Sequence, residues 1–151
     1  MKVDVQSLLP CRPELAWDEV QMSRLLVEVA APLVAIRPAP NQQLPERWRV
    51  GAFRVCSYLF GIIPFGPRNL EFERIDPTAR EIQTRESDPL VRRWDHLISI
   101  RPAASGHCWY RDQIDIEAGW LTAGVWLFAQ WFYRHRQRRW RTVAKRLTAR
   151  A

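Results

Sequence analysis

The stretch Trp120–Tyr133, WLTAGVWLFAQWFY, runs directly into Arg134–Ala151, RHRQRRWRTVAKRLTARA, and the change of character at that junction governs the fold. In the first stretch only Thr122 and Gln130 are clearly polar; the second carries eight basic residues, seven Arg and one Lys, and no acid. A helix that is apolar nearly all round must be covered on most sides, whereas a basic amphipathic continuation needs water or an anionic surface along one face. The two stretches therefore predict one long helix that begins clamped against the rest of the chain and ends projecting along its surface. Leu121, Val125, Phe128 and Phe132 fall at helical spacing and form the stripe that faces inward, with Trp120, Leu127, Gln130 and Trp131 on adjacent faces. Gly124 marks a close approach or a slight bend.

The charge is concentrated in the same place. The chain has 23 basic and 16 acidic residues, a net of +7; without the eight basic residues after Tyr133, 15 face 16. A nucleic-acid-binding domain spreads its basic footprint over a face of the fold, so no nucleic-acid partner is expected. The basic end reads first as a solvated helix terminus whose cations favour the helix dipole. Its alternative is a contact through Arg134, Arg138, Arg139 and Arg141 with an anionic membrane surface or an acidic protein. The apolar stretch covers 14 residues, short of the roughly 20 a bilayer span requires, so a buried helix is expected.

At 151 residues and 47% apolar content, one domain spanning 1–151 with a substantial core is expected. Cys11, Cys56 and Cys108 are widely spaced and odd in number, which supports neither a disulfide framework nor a zinc site. The start, MKVDVQSLLPCRPEL, has no apolar signal-type core, and a cytoplasmic setting follows. No phosphate-binding glycine loop, nucleophile elbow or HExxH stretch occurs, so no metal and no cofactor is expected.

Along the chain, Val3–Leu9 alternates as a first strand, Pro13 opens a short helix, and Ser23 is placed to cap a second that stops near Pro32. Arg37–Pro45, with three prolines, reads as a loop. Glu46–Phe60 reads as a long strand and Gly61–Pro67 as a turn. Asn69–Ile75 and Arg80–Ser87 flank an Asp76-Pro77 turn, and Arg92–Arg101 and His107–Glu117 flank the loop PAASG. Strand, two helices, a run of antiparallel strands and a closing helix make an α+β domain. Alternation puts Trp94, His96, Ile98 and Ile100 on the inner face of one strand and Cys108, Tyr110, Asp112, Ile114 and Ile116 on that of the next. In the Glu46–Phe60 strand neither parity is clearly apolar; an inward Arg54 would anchor an anion, an outward one would lie at the surface.

Two regions of the chain carry a resemblance. Trp94-Asp95-His96, Gly106 and Tyr110-Arg111-Asp112, followed by the glycine-led aromatic helix ending in arginines, resemble the bacterial ligand-binding branch of the START/polyketide-cyclase superfamily, SRPBCC. Upstream, Leu9-Pro10, Pro13-Glu14 and Ala16-Trp17 resemble that family's first-helix start. The resemblance spans essentially the whole chain. It implies the helix-grip fold, a curved antiparallel sheet wrapped around the long C-terminal helix, with an apolar cavity between the two. It also implies binding of a small apolar or amphipathic molecule, lipid or polyketide-like, with Trp94, His96, Ile98, Tyr110, Asp112, Ile114, Val125, Phe128 and Phe132 as lining residues. Two alternatives accompany it. One is a cyclase/dehydratase-like enzyme moving protons with His96, Asp112 and Tyr110. The other is a lipid-transfer or docking module that uses the basic helix end. Binding is preferred over catalysis, and the sequence does not specify an oligomeric state.

Overall fold

Two-residue alternation of buried and exposed side chains sets the inner face of a seven-stranded sheet in the computed structural model, which describes residues 1–150. The strands are β1 (Lys2–Leu9), β2 (Val34–Pro38), β3 (Gly51–Leu59), β4 (Ile63–Asp76), β5 (Glu81–Ser87), β6 (Arg93–Pro102) and β7 (Cys108–Glu117). They are antiparallel throughout, in the order β1-β7-β6-β5-β4-β3-β2. Helices α1 (Pro13–Val20) and α2 (Ser23–Ala30) connect the two edge strands β1 and β2. The closing helix α3 (Thr122–Arg150, 29 residues) packs against β1, β7 and α2, and the curved, unclosed sheet grips it in the helix-grip arrangement.

The inner parities are those expected: Trp94, His96, Ile98 and Ile100 of β6 are buried, as are Cys108, Tyr110, Asp112, Ile114 and Ile116 of β7. Both predicted hairpins form. Asp76 turns the first by accepting the Thr78 and Ala79 N–H groups on Oδ1 at 2.9 Å. The second turns through Ser105 and Gly106, both at positive φ.

Local readings differ at four places. Val34–Pro38 is an edge strand paired with β3 up to Pro38↔Val55, not the start of a loop, and an edge position tolerates Pro38. Strand β3 begins at Gly51, and the residues before it form a connector from which Trp48 stacks on Phe72 at 4.5 Å. The turn after β3 is confined to Phe60–Ile62, so Ile63–Pro67 belongs to β4, with a bulge at Phe65. Pro64 and Pro67 fit there because this part of β4 pairs only with β3; pairing with β5 starts at Asn69. Ser23 does not cap α2: it is the first helical residue, and its N–H donates to the Glu46 carbonyl at 3.0 Å.

The long helix reverses the expectation set by its composition. Its buried residues are Ala129, Phe132, Tyr133, Arg136, Gln137, Trp140, Val143 and Ala144, mostly in the basic half, whereas Trp120, Leu127 and Trp131 are exposed. The basic half is amphipathic, and its narrow apolar stripe seats on the sheet. Its polar flank ties to α2: Arg139 Nε donates to the Glu28 carbonyl at 3.0 Å, and Arg146 pairs with the Glu28 carboxylate.

Candidate functional site

Fully buried residues of α3 begin only at Ala129, and between its first turns and the sheet lies a cavity of about 410 Å³. Leu121, Val125, Phe128 and Phe132 form the helix wall, so the predicted stripe does face inward. Val34 and Ile36 of β2, Val55, Ser57 and Leu59 of β3, and Phe65 and Leu70 of β4 form the sheet wall. Such a volume falls within the range of about 300–1,000 Å³ typical of small-molecule sites. The mouth lies where the lining residues Phe65, Leu90 and Gly124 are exposed. At Gly124 a Cβ would meet nothing within 4 Å, so this glycine marks the aperture and not a close approach.

One corner of the cavity is charged. Arg68 of β4 donates to Glu86 at 3.2 Å and to Asp88 at 2.8 Å, and its guanidinium lies 4.9 Å from the Trp94 ring centroid. Burial pulls the Arg68 pKa down, but Glu86 and Asp88 outweigh it and hold the cation firmly protonated. Asp88 is itself fixed, because its other oxygen accepts the Leu90 and Val91 N–H groups across Pro89, at 2.9 and 2.8 Å. Arg136 of α3 completes this corner.

Behind the cavity sits the predicted polar cluster. His96 pairs with Ile114 and Asp112 with Ile98 in the β6–β7 ladder, so the two are diagonal neighbours on one face. His96 Nε2 and Asp112 Oδ1 are 2.8 Å apart. Tyr110 donates to the same oxygen at 3.2 Å, and Gln137 Nε2 donates to Oδ2 at 3.0 Å. Asp112 is 0% exposed. Burial raises its pKa, but the hydrogen bond and charge of His96, Arg136 and the Gln137 amide together hold the carboxyl below the usual range. Burial and Asp112 push Tyr110 well above its ordinary value.

Of the predicted lining residues, Trp94, Val125, Phe128 and Phe132 line the cavity. His96, Ile98, Tyr110, Asp112 and Ile114 are buried but do not reach it. Tyr133 stands between: it lines the cavity, accepts from Trp94 Nε1 at 3.1 Å, and places its hydroxyl 3.5 Å from His96 Nδ1. The charged wall residues Arg68, Glu86, Asp88 and Arg136 escaped the sequence reading. Arg68 and Glu86 come from strands, and Asp88 from the turn after β5, all far from the aromatic helix in the chain, and Arg136 is hidden among surface arginines. Arg54 points outward and donates to Asn69 Oδ1 at 3.2 Å. Cys108 is buried against Cys11 instead of facing the cavity. The hydrogen bond between the two thiols pulls Cys11 down and pushes Cys108 up, and burial raises Cys108 further.

Leu90 is an exposed lining residue, and other exposed apolar residues adjoin lining residues in the chain: Phe60, Ile62 and Ile63 at the β3–β4 tip, and Trp120, Leu127 and Trp131 next to Leu121, Phe128 and Phe132. Leu127, Trp131, Arg134, Arg138, Arg141 and Lys145 recur at steps of four and three along α3, and all are exposed. Arg139 does not join them, since it is half-buried against α2. Among the described residues no helix is long and apolar enough to cross a membrane, and no His, Cys, Asp or Glu side chains group to hold a metal ion.

The fold has close counterparts among solved structures. Protein CV1439 from Chromobacterium violaceum superimposes with a TM-score of 0.68 at 13% identity, over 95% of this chain and 96% of that one. A START superfamily protein from Mycobacterium smegmatis gives 0.68 at 12% identity, over 97% and 98%. TTHA0849 from Thermus thermophilus gives 0.67 at 10% identity, over 100% and 99%. The helix-grip fold of the START/SRPBCC type is thus shared across nearly the whole chain, at identities that speak to fold alone. No curated protein sequence matches the chain significantly. The model of one family, described as Domain of unknown function (DUF8410), matches residues 7–144, from within β1 to near the end of α3, and the chain belongs to that family.

Proposed function

We propose that this protein binds a small, largely apolar molecule in the cavity between the sheet and the first half of α3. The observation that carries the reading is the cavity itself: about 410 Å³, walled by Leu, Val, Ile and Phe side chains with the charge gathered in one corner. A core of this size normally closes on itself at crystal-like density; here the helix is held off by packing further along its length. Turnover on His96 and Asp112 is less well supported, because Tyr133 separates the pair from the cavity. Native mass spectrometry of freshly purified protein, followed by denaturing extraction, tests the reading. A stoichiometric apolar molecule, or saturable binding of one from a lipid and polyketide panel, is expected. An empty protein that ignores the panel refutes it.

The exposed rim favours a second, compatible reading, in which the ligand is exchanged at an anionic phospholipid bilayer. Trp and Leu side chains beside the mouth would seat at the interface while Arg134, Arg138, Arg141 and Lys145 meet anionic headgroups. Truncation after Tyr133 cannot test this, since it would remove Trp140, Val143 and Ala144 from the core. Vesicle sedimentation of an Arg138→Glu/Arg141→Glu/Lys145→Glu variant can. Binding to phosphatidylglycerol vesicles should fall with these changes and with salt; equal binding to neutral vesicles would sink the idea.

A further inference from the structure

Four buried polar atoms have no hydrogen-bond partner among the described residues: Ser7 Oγ, Arg136 Nε, Gln137 Oε1 and Trp140 Nε1. Of these residues, Arg136 alone lies on the cavity wall. It is 8% exposed, its guanidinium centred 4.9 Å from the Tyr133 ring and 5.8 Å from that of Phe132. In the same corner Arg68 is held by two carboxylates. Arg136 has charge compensation without contact: Asp112 and Glu86 act on it through space, but both Asp112 oxygens already accept from His96, Tyr110 or Gln137, and Glu86 accepts from Arg68 and Thr84. That field outweighs the burial that would discharge the group, and Arg136 stays protonated.

A guanidinium presents its N–H donors in a planar fork, and leaving a buried donor such as Arg136 Nε without an acceptor is costly. The group best matched to that fork is a carboxylate, which accepts two parallel bonds and carries the opposite charge. Beyond the corner that Arg136 shares with Arg68, Glu86 and Asp88, the walls are aliphatic and aromatic apart from Ser57. We infer that the ligand is a carboxylic acid with an apolar body, bound head-first with its carboxylate on Arg136 and its chain or ring towards Phe65 and Gly124. This rests on the cavity-binding reading above and names the ligand class for it.

The test uses calorimetric titration of the full chain with dodecanoic acid, dodecanol and methyl dodecanoate, and with their shorter and longer homologues. On the unaltered protein the acid should bind on the order of tenfold more tightly than the alcohol or ester of the same length. In Arg136→Met that preference should collapse while alcohol affinity is kept. The comparison on unaltered protein needs no variant, so a poorly folding Arg136→Met does not leave the inference untested. Equal binding of acid, alcohol and ester overturns the carboxylate assignment and leaves the cavity reading standing. Binding of none of them, at any chain length, overturns both.

Discussion

The indole N–H of Trp94 donates to the hydroxyl of Tyr133 at 3.1 Å, and the same hydroxyl lies 3.5 Å from His96 Nδ1. One phenol ring therefore forms the partition between an apolar cavity and a buried polar cluster. Tyr133→Phe keeps the partition and orphans the Trp94 donor, at a cost of about 1–2 kcal/mol. Tyr133→Ala removes it, costs roughly 3–5 kcal/mol, and joins the two spaces. Urea unfolding measures both. Acylation of His96 by diethyl pyrocarbonate, mapped by mass spectrometry, should occur in the alanine variant and not in the unaltered protein.

Asp112 supplies a pH signature. Its carboxyl is held below the usual carboxylate range in the folded chain, against about 3.9 when unfolded. A lowered folded pKa gives stability that is present above the unfolded value and lost as pH falls through the folded one. Asp112→Asn should thus destabilise by roughly 1–3 kcal/mol at pH 7, and the gap to the unaltered protein should narrow below about pH 4. Parallel urea curves at both pH values decide it.

Gly124 can be used to close the cavity without disturbing the fold. It is exposed, on the cavity wall, with open space where a Cβ would stand. Gly124→Leu should leave thermal stability unchanged or raise it by up to about 1 kcal/mol, since leucine is the better helix former. It should also weaken binding of any cavity ligand at least severalfold. Unaltered affinity would place the ligand elsewhere.

The two faces of the basic half of α3 should separate cleanly. Trp140→Ala removes a side chain that is 2% exposed and packs edge-on to Tyr110 at 5.7 Å, with an expected cost of about 3–5 kcal/mol. Arg138→Glu and Arg141→Glu lie on the exposed face and should change stability by no more than about 0.5 kcal/mol each. Thermal melts of the three variants suffice.

Much of this was legible in the chain. The alternation around Trp94–Ile100 and Cys108–Ile116 placed both inner faces and, with them, the His96–Asp112 pair, because side-chain parity survives any modest error in strand ends. The fate of α3 was not. A largely apolar stretch of fourteen residues looked like the buried half, yet burial depends on what stands opposite, and opposite its first turns is a cavity. The anchoring stripe was present at three- and four-residue steps in Tyr133, Gln137, Trp140, Ala144 and Leu147, obscured by the arginines between. The charged corner was out of reach altogether: Arg68, Glu86 and Asp88 come to share the cavity wall with Arg136 only through the β4–β5 pairing and the curvature of the sheet.

The offset seating of α3 also divides one helix into two mechanical regimes. Residues 132–144 are fastened to the sheet and α2, while the first turns border the void on one flank and are tied on another only by the Trp126 N–H donating to the Lys2 carbonyl at 2.7 Å. Backbone amides in those first turns should exchange with deuterium far sooner than those near Trp140, by local opening that leaves the remainder intact. Whatever fills the void supplies the packing those turns lack. Slowed exchange confined to the start of the helix then becomes a readout of occupancy that needs no label on the ligand.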